Sequence, residues 1–320
     1  MLQPYSKPYQ DAEQLCAKLS GQGLNISNIA QAKKTLERCS YYRFKAYLHP
    51  FHNGNTKSFH SNVDFSDAES LYCFDEDLRS LVFKLIQKIE ISIRSCFDQC
   101  MTSNTSNSFW YLDSSLFELS PVHSNTVNKV RAMFIGSEED FAKHYQGKYY
   151  NTYCPFYRNL PPAWVAIELM SFGNLTKLMQ CITEDTITNL KLDRFSNRRM
   201  GIQKFRTLSS WMSVIQDMRN YCCHHSRLFN RNLPAPAAIK KSLNSNISLV
   251  KVTNPKSGNV EDQLNRIYTG LAAIQVITNK LGYPKFGSEI DALFVKYPVA
   301  NRFMPSMGFP SDWKNEPLFF

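Results

Sequence analysis

Arg219, Asn220 and His224 fall close together in the chain, and histidine, arginine and an amide are side chains that can cut a phosphodiester without a metal at neutral pH. RNA cleavage at a 2′-hydroxyl needs a group to accept the hydroxyl proton and a group to protonate the departing 5′-oxygen. It also needs cations to stabilise the charge gathering on phosphorus. On a helical wheel of about 100° per residue, His224 stacks one turn beyond Asn220 and Arg219 lies beside Asn220, so the three occupy an arc of roughly 140°. An Arg-x4-His pair alone is common by chance. Asn220, His225 and the basic flank of Arg227 and Arg231 set this one apart.

The element that must hold these residues reads as one helix over 211–231. Trp211, Val214, Ile215, Met218 and Cys222 follow offsets of three and four and predict a core-facing stripe. Ser213, Asp217, Asn220 and His224 take the opposite side, where Ser213 and Asp217 read as solvated. His225 falls beside the apolar stripe and reads first as a hydrogen-bonded packing histidine, second as an RNA contact. Cys222, Cys223, His224 and His225 invite a zinc reading, but four consecutive helical residues radiate in different directions and do not converge on one ion. His49 and His52, flanking Pro50, read as surface residues. No metal and no cofactor is expected.

Around this helix the charge is lopsided. Residues 191–231 carry Lys191, Arg194, Arg198, Arg199, Lys204, Arg206, Arg219, Arg227 and Arg231 against only Asp193 and Asp217. Arg198, Arg199, Lys204, Arg206, Arg227 and Arg231 are the candidate RNA contacts, and the net charge of +10 on 320 residues points to a polyanionic partner. An anionic membrane surface would also suit that charge. The apolar runs, such as 164–169 interrupted by Glu168, fall short of the roughly 20 residues a bilayer span requires. The opening MLQPYSKPYQD does not read as a signal peptide. Nine cysteines without paired spacing read as reduced thiols, hence a cytoplasmic location.

The remaining pattern reads as a series of helices joined by loops, with strand content left open in the irregular middle. Short helices are expected over 11–19 and 29–39, then an aromatic and basic block of Tyr41, Tyr42, Arg43, Phe44, Lys45 and Tyr47, read as packing ahead of base stacking. After a polar loop at 53–61, a long helix starts near Asp67. Leu78, Leu81, Val82, Leu85, Ile86, Ile89 and Ile93 form its core stripe, with Arg79, Lys84, Lys88, Glu90 and Arg94 mostly on its other faces. A Ser/Asn/Thr-rich loop is expected at 102–108 and an irregular, Tyr-rich connection around short helices at 136–159. An apolar helix at 163–171 is capped by Gly173 and buries Glu168, whose carboxylate then needs a partner. A loop follows at 242–260, a helix at 261–281, a short helix at 289–296 and an aromatic, proline-rich tail. The expected division is an N-terminal helical segment at 1–62, a main helical core at 63–282 and a C-terminal helix and tail at 283–320.

Arg219-Asn220-Tyr-Cys-Cys-His224 resembles the Arg-polar-x3-His signature of the HEPN superfamily, and the longer RNYCCHHSRLFNR resembles its form in Abi-like proteins. SYYRFKAYLHPF at 40–51, YCFDEDLRSLVFKLIQKIEISIR at 72–94, LPPAWVAIELMSFGNLTKLM at 160–179 and MGFPSDW at 307–313 are similar to further hallmarks of that family, in the same order. The resemblance implies an all-α fold, a HEPN-like helical bundle with an N-terminal helical extension and a C-terminal helix plus irregular tail, related to the AbiD and AbiF group of phage-defence proteins. It implies a metal-independent endoribonuclease leaving a 2′,3′-cyclic phosphate, with Arg219 and His224 catalytic and Asn220 orienting the phosphate or the histidine. One such motif per chain implies a homodimer. The alternative is a regulator that binds RNA, such as a noncoding antitoxin RNA, on the same basic surface without cutting it; a purely protein-binding regulator is the third class.

Overall fold

A computed structural model describes residues 4, 6, 8–54, 56–243 and 247–320. The helices run in the order α1 (Ala12–Gly21), α2 (Ile29–Cys39), α3 (Tyr41–Leu48), α4 (Phe65–Thr105), α5 (Pro121–Ile135), α6 (Asp140–Lys148) and α7 (Ala163–Leu169). Next come α8 (Phe172–Gln180), α9 (Glu184–Asn189), α10 (Leu192–Phe195), a π-helical turn (Ser196–Met200), α11 (Phe205–Cys223) and α12 (Ile239–Ser242). A small antiparallel hairpin, β1 (Lys251–Thr253) with β2 (Val260–Asp262), precedes α13 (Ile267–Lys280) and α14 (Gly287–Lys296). The fold is all-α apart from that hairpin. Two compact units emerge, Met1–Arg79 with Ile290–Phe303, and Ser80–Glu289 with Met304–Phe320.

In the first unit, α1 opens with a reciprocal capping box. The Gln14 N–H donates to Asp11 Oδ1 at 2.8 Å and the Asp11 N–H to Gln14 Oε1 at 3.1 Å. The aromatic block packs, as expected: Phe44 and Tyr47 are buried on α3, Phe44 stacks on Phe65 with centroids 4.8 Å apart, and of its rings Tyr42 alone is exposed, beside exposed Lys45. Tyr47 donates its hydroxyl to Asp75 Oδ2 at 2.5 Å, and Arg79 pairs with the same carboxylate. Arg79 is therefore buried, not on an outer face of α4 as its charge suggested.

In the second unit the remainder of α4 supplies the predicted stripe: Val82, Ile86, Ile89 and Ile93 are fully buried, and Phe97 and Met101 extend it. Burial of each such side chain contributes about 1.5–3 kcal/mol. α13 approaches α11 closely at Gly270, where an added Cβ would lie 2.5 Å from Met218 Sδ and would force the Met218 side chain to shift.

Several expectations give way here. Residues 102–105 continue α4 instead of forming a loop, and Ser103, Asn104 and Thr105 fold their side chains back along the helix, donating to the Cys100 and Met101 carbonyls of the preceding turn. The turn follows at Ser106, with φ of 52°. The helix expected over 163–171 stops at Leu169; Ser171 caps the next helix, its side chain accepting from the Asn174 N–H, so Gly173 lies inside α8 facing Gln216 of α11. Glu168 is exposed, so the buried carboxylate expected there does not exist. Residues 260–262 form β2, and the helix expected from 261 begins only at Ile267.

Candidate active site

α11 presents its predicted apolar side to the core: Trp211, Ile215 and Met218 are fully buried, and Val214 and Cys222 nearly so. Trp211 also donates its indole N–H to the Ala237 carbonyl at 2.8 Å. The helix is shorter than its sequence pattern, ending at Cys223 with His224 as C-cap. The His224 N–H donates to the Asn220 carbonyl at 3.0 Å, the His225 N–H to Cys222 at 3.1 Å and the Ser226 N–H to Tyr221 at 2.8 Å. That bond pattern, with His225 at φ of 52°, is a Schellman termination with a histidine where glycine is usual. His225 is therefore exposed instead of packed beside the stripe. Beyond it Leu228 and Phe229 are buried and anchor the departing chain.

Helix termination leaves His224 exposed one turn beyond half-buried Asn220. Arg219 is half-buried, and its Nε lies 3.5 Å from Glu90 Oε2 of α4, an ion pair too long and too poorly aligned to satisfy that buried N–H. Glu90 Oε1 accepts from an Arg94 Nη at 2.7 Å. The other Arg94 Nη donates to the Met170 carbonyl at 2.7 Å and to the Ile167 carbonyl, closing the C-terminal end of α7 with a cation where the helix dipole favours one. A continuous line of charge thus runs from the end of α7 through Arg94 and Glu90 to Arg219.

The sequence reading missed Glu90 and Arg94 by placing their charges on outer faces. A signal existed: Glu90 follows buried Ile86 by four, and Arg94 follows Glu90 by four, so both continue the Leu78, Val82, Ile86 ladder of the core stripe.

The other candidate RNA contacts separate into engaged and open groups. Arg206 is spent on structure, donating to Glu184 at 2.6 Å, Glu118 at 3.2 Å and the carbonyls of Gln180 and Ile182. Lys204 pairs with Asp193 at 2.7 Å. Partial burial alone would raise the Asp193 carboxyl, but Lys204 and the Phe205 N–H outweigh it and hold the group below its ordinary value. Arg231 lies over the Tyr221 ring at 4.0 Å, and its Nε donates to the Arg227 carbonyl at 2.7 Å, so its guanidinium is held beside the last turn of α11. Arg198 and Arg199 line a groove of about 430 Å³ with Lys191 and Arg194, against Gln99 and Cys100 of α4, and no carboxylate enters its lining.

Asp217, expected to be solvated, is partly buried on the wall of a second recess with Ser209 and Ser213, and burial pushes its carboxyl above the ordinary range. All nine cysteines are free thiols. Among the described residues, no cluster of His, Cys, Asp or Glu is arranged to hold a metal ion, and no helix is long and apolar enough to cross a membrane.

Comparison with curated proteins and with solved structures finds no match. The model of a protein family described as Abi-like protein matches residues 34–230, more than half of the chain and the whole stretch from α3 to the end of the Arg-Asn-x3-His motif, and the chain belongs to that abortive-infection family.

Proposed function

We propose that this protein is a metal-independent endoribonuclease of the HEPN type that serves phage defence by abortive infection or acts as a toxin, with Arg219 and His224 as its catalytic residues. The observation that carries this reading is the placement of the pair: Arg219 is held from behind by Glu90 while His224 stands exposed at the helix end, one turn beyond Asn220. Because Glu90 meets the guanidinium on its Nε side, the two terminal amino groups are those left to grip a phosphate. His224 then moves the proton at the 2′-hydroxyl or at the 5′-oxygen, and Asn220 orients the phosphate. With one motif per chain, two histidines acting as base and acid come from two copies, so the working form in this proposal is a homodimer.

Purified protein incubated with total cellular RNA in EDTA should yield fragments ending in 2′,3′-cyclic phosphate. His224→Ala and Arg219→Ala should each lower the rate by about 10²–10⁴-fold. Arg219→Ala should keep the fold, since Glu90 retains Arg94. A strict requirement for added magnesium, or equal cutting by the His224→Ala variant, would overturn the proposal.

A second reading rests on the groove of Lys191, Arg194, Arg198 and Arg199. Four cations without a lining carboxylate suit a structured or antitoxin-like RNA held by its phosphates without cleavage. RNA intact in EDTA, yet bound with an affinity that falls steeply with salt, would favour it.

A further inference from the structure

The second unit carries a recess remote in sequence from α11, walled by Phe109, Tyr145, Tyr149, Tyr150, Arg158 and Trp164, with a volume of about 240 Å³. Its walls are mostly flat rings, and Leu160 is the one branched aliphatic chain among them. Tyr149 and Tyr150 are 54% and 64% exposed and Trp164 43%, an unusual outlay of aromatic surface to water. The rings are held in place: Tyr145 and Tyr149 have centroids 5.3 Å apart, the Trp164 indole N–H donates to the Tyr145 hydroxyl at 3.1 Å, and the Arg158 guanidinium lies 4.4 Å from the Tyr150 centroid. Beneath them buried Asn151 ties the loop together, accepting from the Cys154 N–H at 3.1 Å and donating to the carbonyls of Tyr157 and Leu160. Arg158 is the lone charged group of the lining, which holds no carboxylate.

We infer that this recess is a base-stacking subsite for single-stranded RNA, taking one unpaired nucleobase between its aromatic rings with Arg158 at the adjoining phosphate. A planar π-system attached to an anion is the ligand that flat aromatic walls and one unopposed guanidinium recognise together. The chain's charge of +10 favours a polyanion over an acid-poor peptide or a second, equally basic copy. The inference rests on RNA being the partner, and is independent of whether that RNA is cut.

Trp164 supplies the readout, because Trp110, Trp211 and Trp313 are all fully buried. The His224→Ala protein is titrated with a 12-nucleotide oligoadenylate in EDTA. Acrylamide quenching of tryptophan emission is followed together with the anisotropy of end-labelled RNA, and a Trp164→Phe variant assigns the signal. The RNA should shield Trp164, whereas polyphosphate of equal charge should not. Tyr149→Ala and Tyr150→Ala, both at exposed positions, should weaken binding about tenfold to a hundredfold, the loss of one base–aromatic stack.

RNA that binds by anisotropy yet leaves Trp164 quenching and the tyrosine variants unchanged would overturn the subsite while the RNA reading stands. RNA that does not bind at all would overturn both. Equal shielding by polyphosphate, or shielding that grows with protein concentration alone, would assign the recess to a bare anion or to a second copy and overturn the stacking role.

Discussion

α4 carries the same device twice, an acid followed four residues later by an arginine, both largely withdrawn from water. At Asp75 and Arg79 the side chains are 0% and 6% exposed, and Tyr47 closes the pair by donating to Asp75. At Glu90 and Arg94 they are 15% and 10% exposed, and the pair stays open at one end, where the free side of Glu90 meets Arg219. Helical spacing brings both pairs together, and the third partner decides what each does. A neutral hydroxyl seals the first pair as a structural strut. The second meets a further arginine and so positions the cation that the proposed chemistry requires.

The largest effect expected from this contrast is at the sealed pair. Arg79→Met takes away the cation beside the Asp75 carboxylate in a dry site, and breaking a buried pair on one side costs about 3–5 kcal/mol. Thermal or urea unfolding should show that loss, and the double variant Asp75→Leu/Arg79→Met should recover most of it, since no charge is then left behind. A loss below about 1 kcal/mol in the single variant would remove the distinction between the two pairs.

At the open pair the larger effect should fall on activity. Glu90→Gln keeps the volume and a hydrogen-bond acceptor for Arg94, but removes the charge that holds Arg219. Cleavage should drop by about tenfold or more, borne by kcat, while stability changes by about 1–2 kcal/mol, the worth of one charge-assisted hydrogen bond. Arg94→Met should act the other way round. It uncaps the Ile167 and Met170 carbonyls and leaves Glu90 paired to Arg219 alone, so stability should fall by about 2–3 kcal/mol. Equal loss of activity and stability in both variants would mean that Glu90 is a strut like Asp75.

The two pairs also mark the limit of what the sequence discloses. The Trp211, Val214, Ile215, Met218 and Cys222 stripe and the turn from Asn220 to His224 are local and periodic, so their faces follow from spacing alone. The partnership of Glu90 with Arg219 joins residues far apart in the chain, and a charged residue in a helix reads as surface by default. His225 escaped for a different reason: a termination with a left-handed residue normally advertises itself by glycine, and here a histidine fills the position. Glu168 shows the converse error, since a charge inside an apolar run looked buried and instead marks the exposed side of α7.

Asp217 gives the smallest effect. It lies on the same helix as Arg219, but burial raises its carboxyl and no resolved cation offsets this, unlike Asp193, which Lys204 and the Phe205 N–H bring down. A carboxyl raised in the folded state binds its proton more tightly there than in the unfolded chain, so it favours folding below the unfolded value of 3.8 and loses that contribution as pH rises through the folded value. At neutral pH its charge is therefore a small burden on the fold. Asp217→Asn should gain no more than about 0.5 kcal/mol at pH 7, and the gain should fade as unfolding is measured at pH values descending toward 3.8. A gain independent of pH would trace to side-chain shape. A loss at pH 7 would show that the aspartate charge is used, and since the residue shares the polar face of α11 with Asn220 and His224, cleavage by the same variant would then show whether that use belongs to the site.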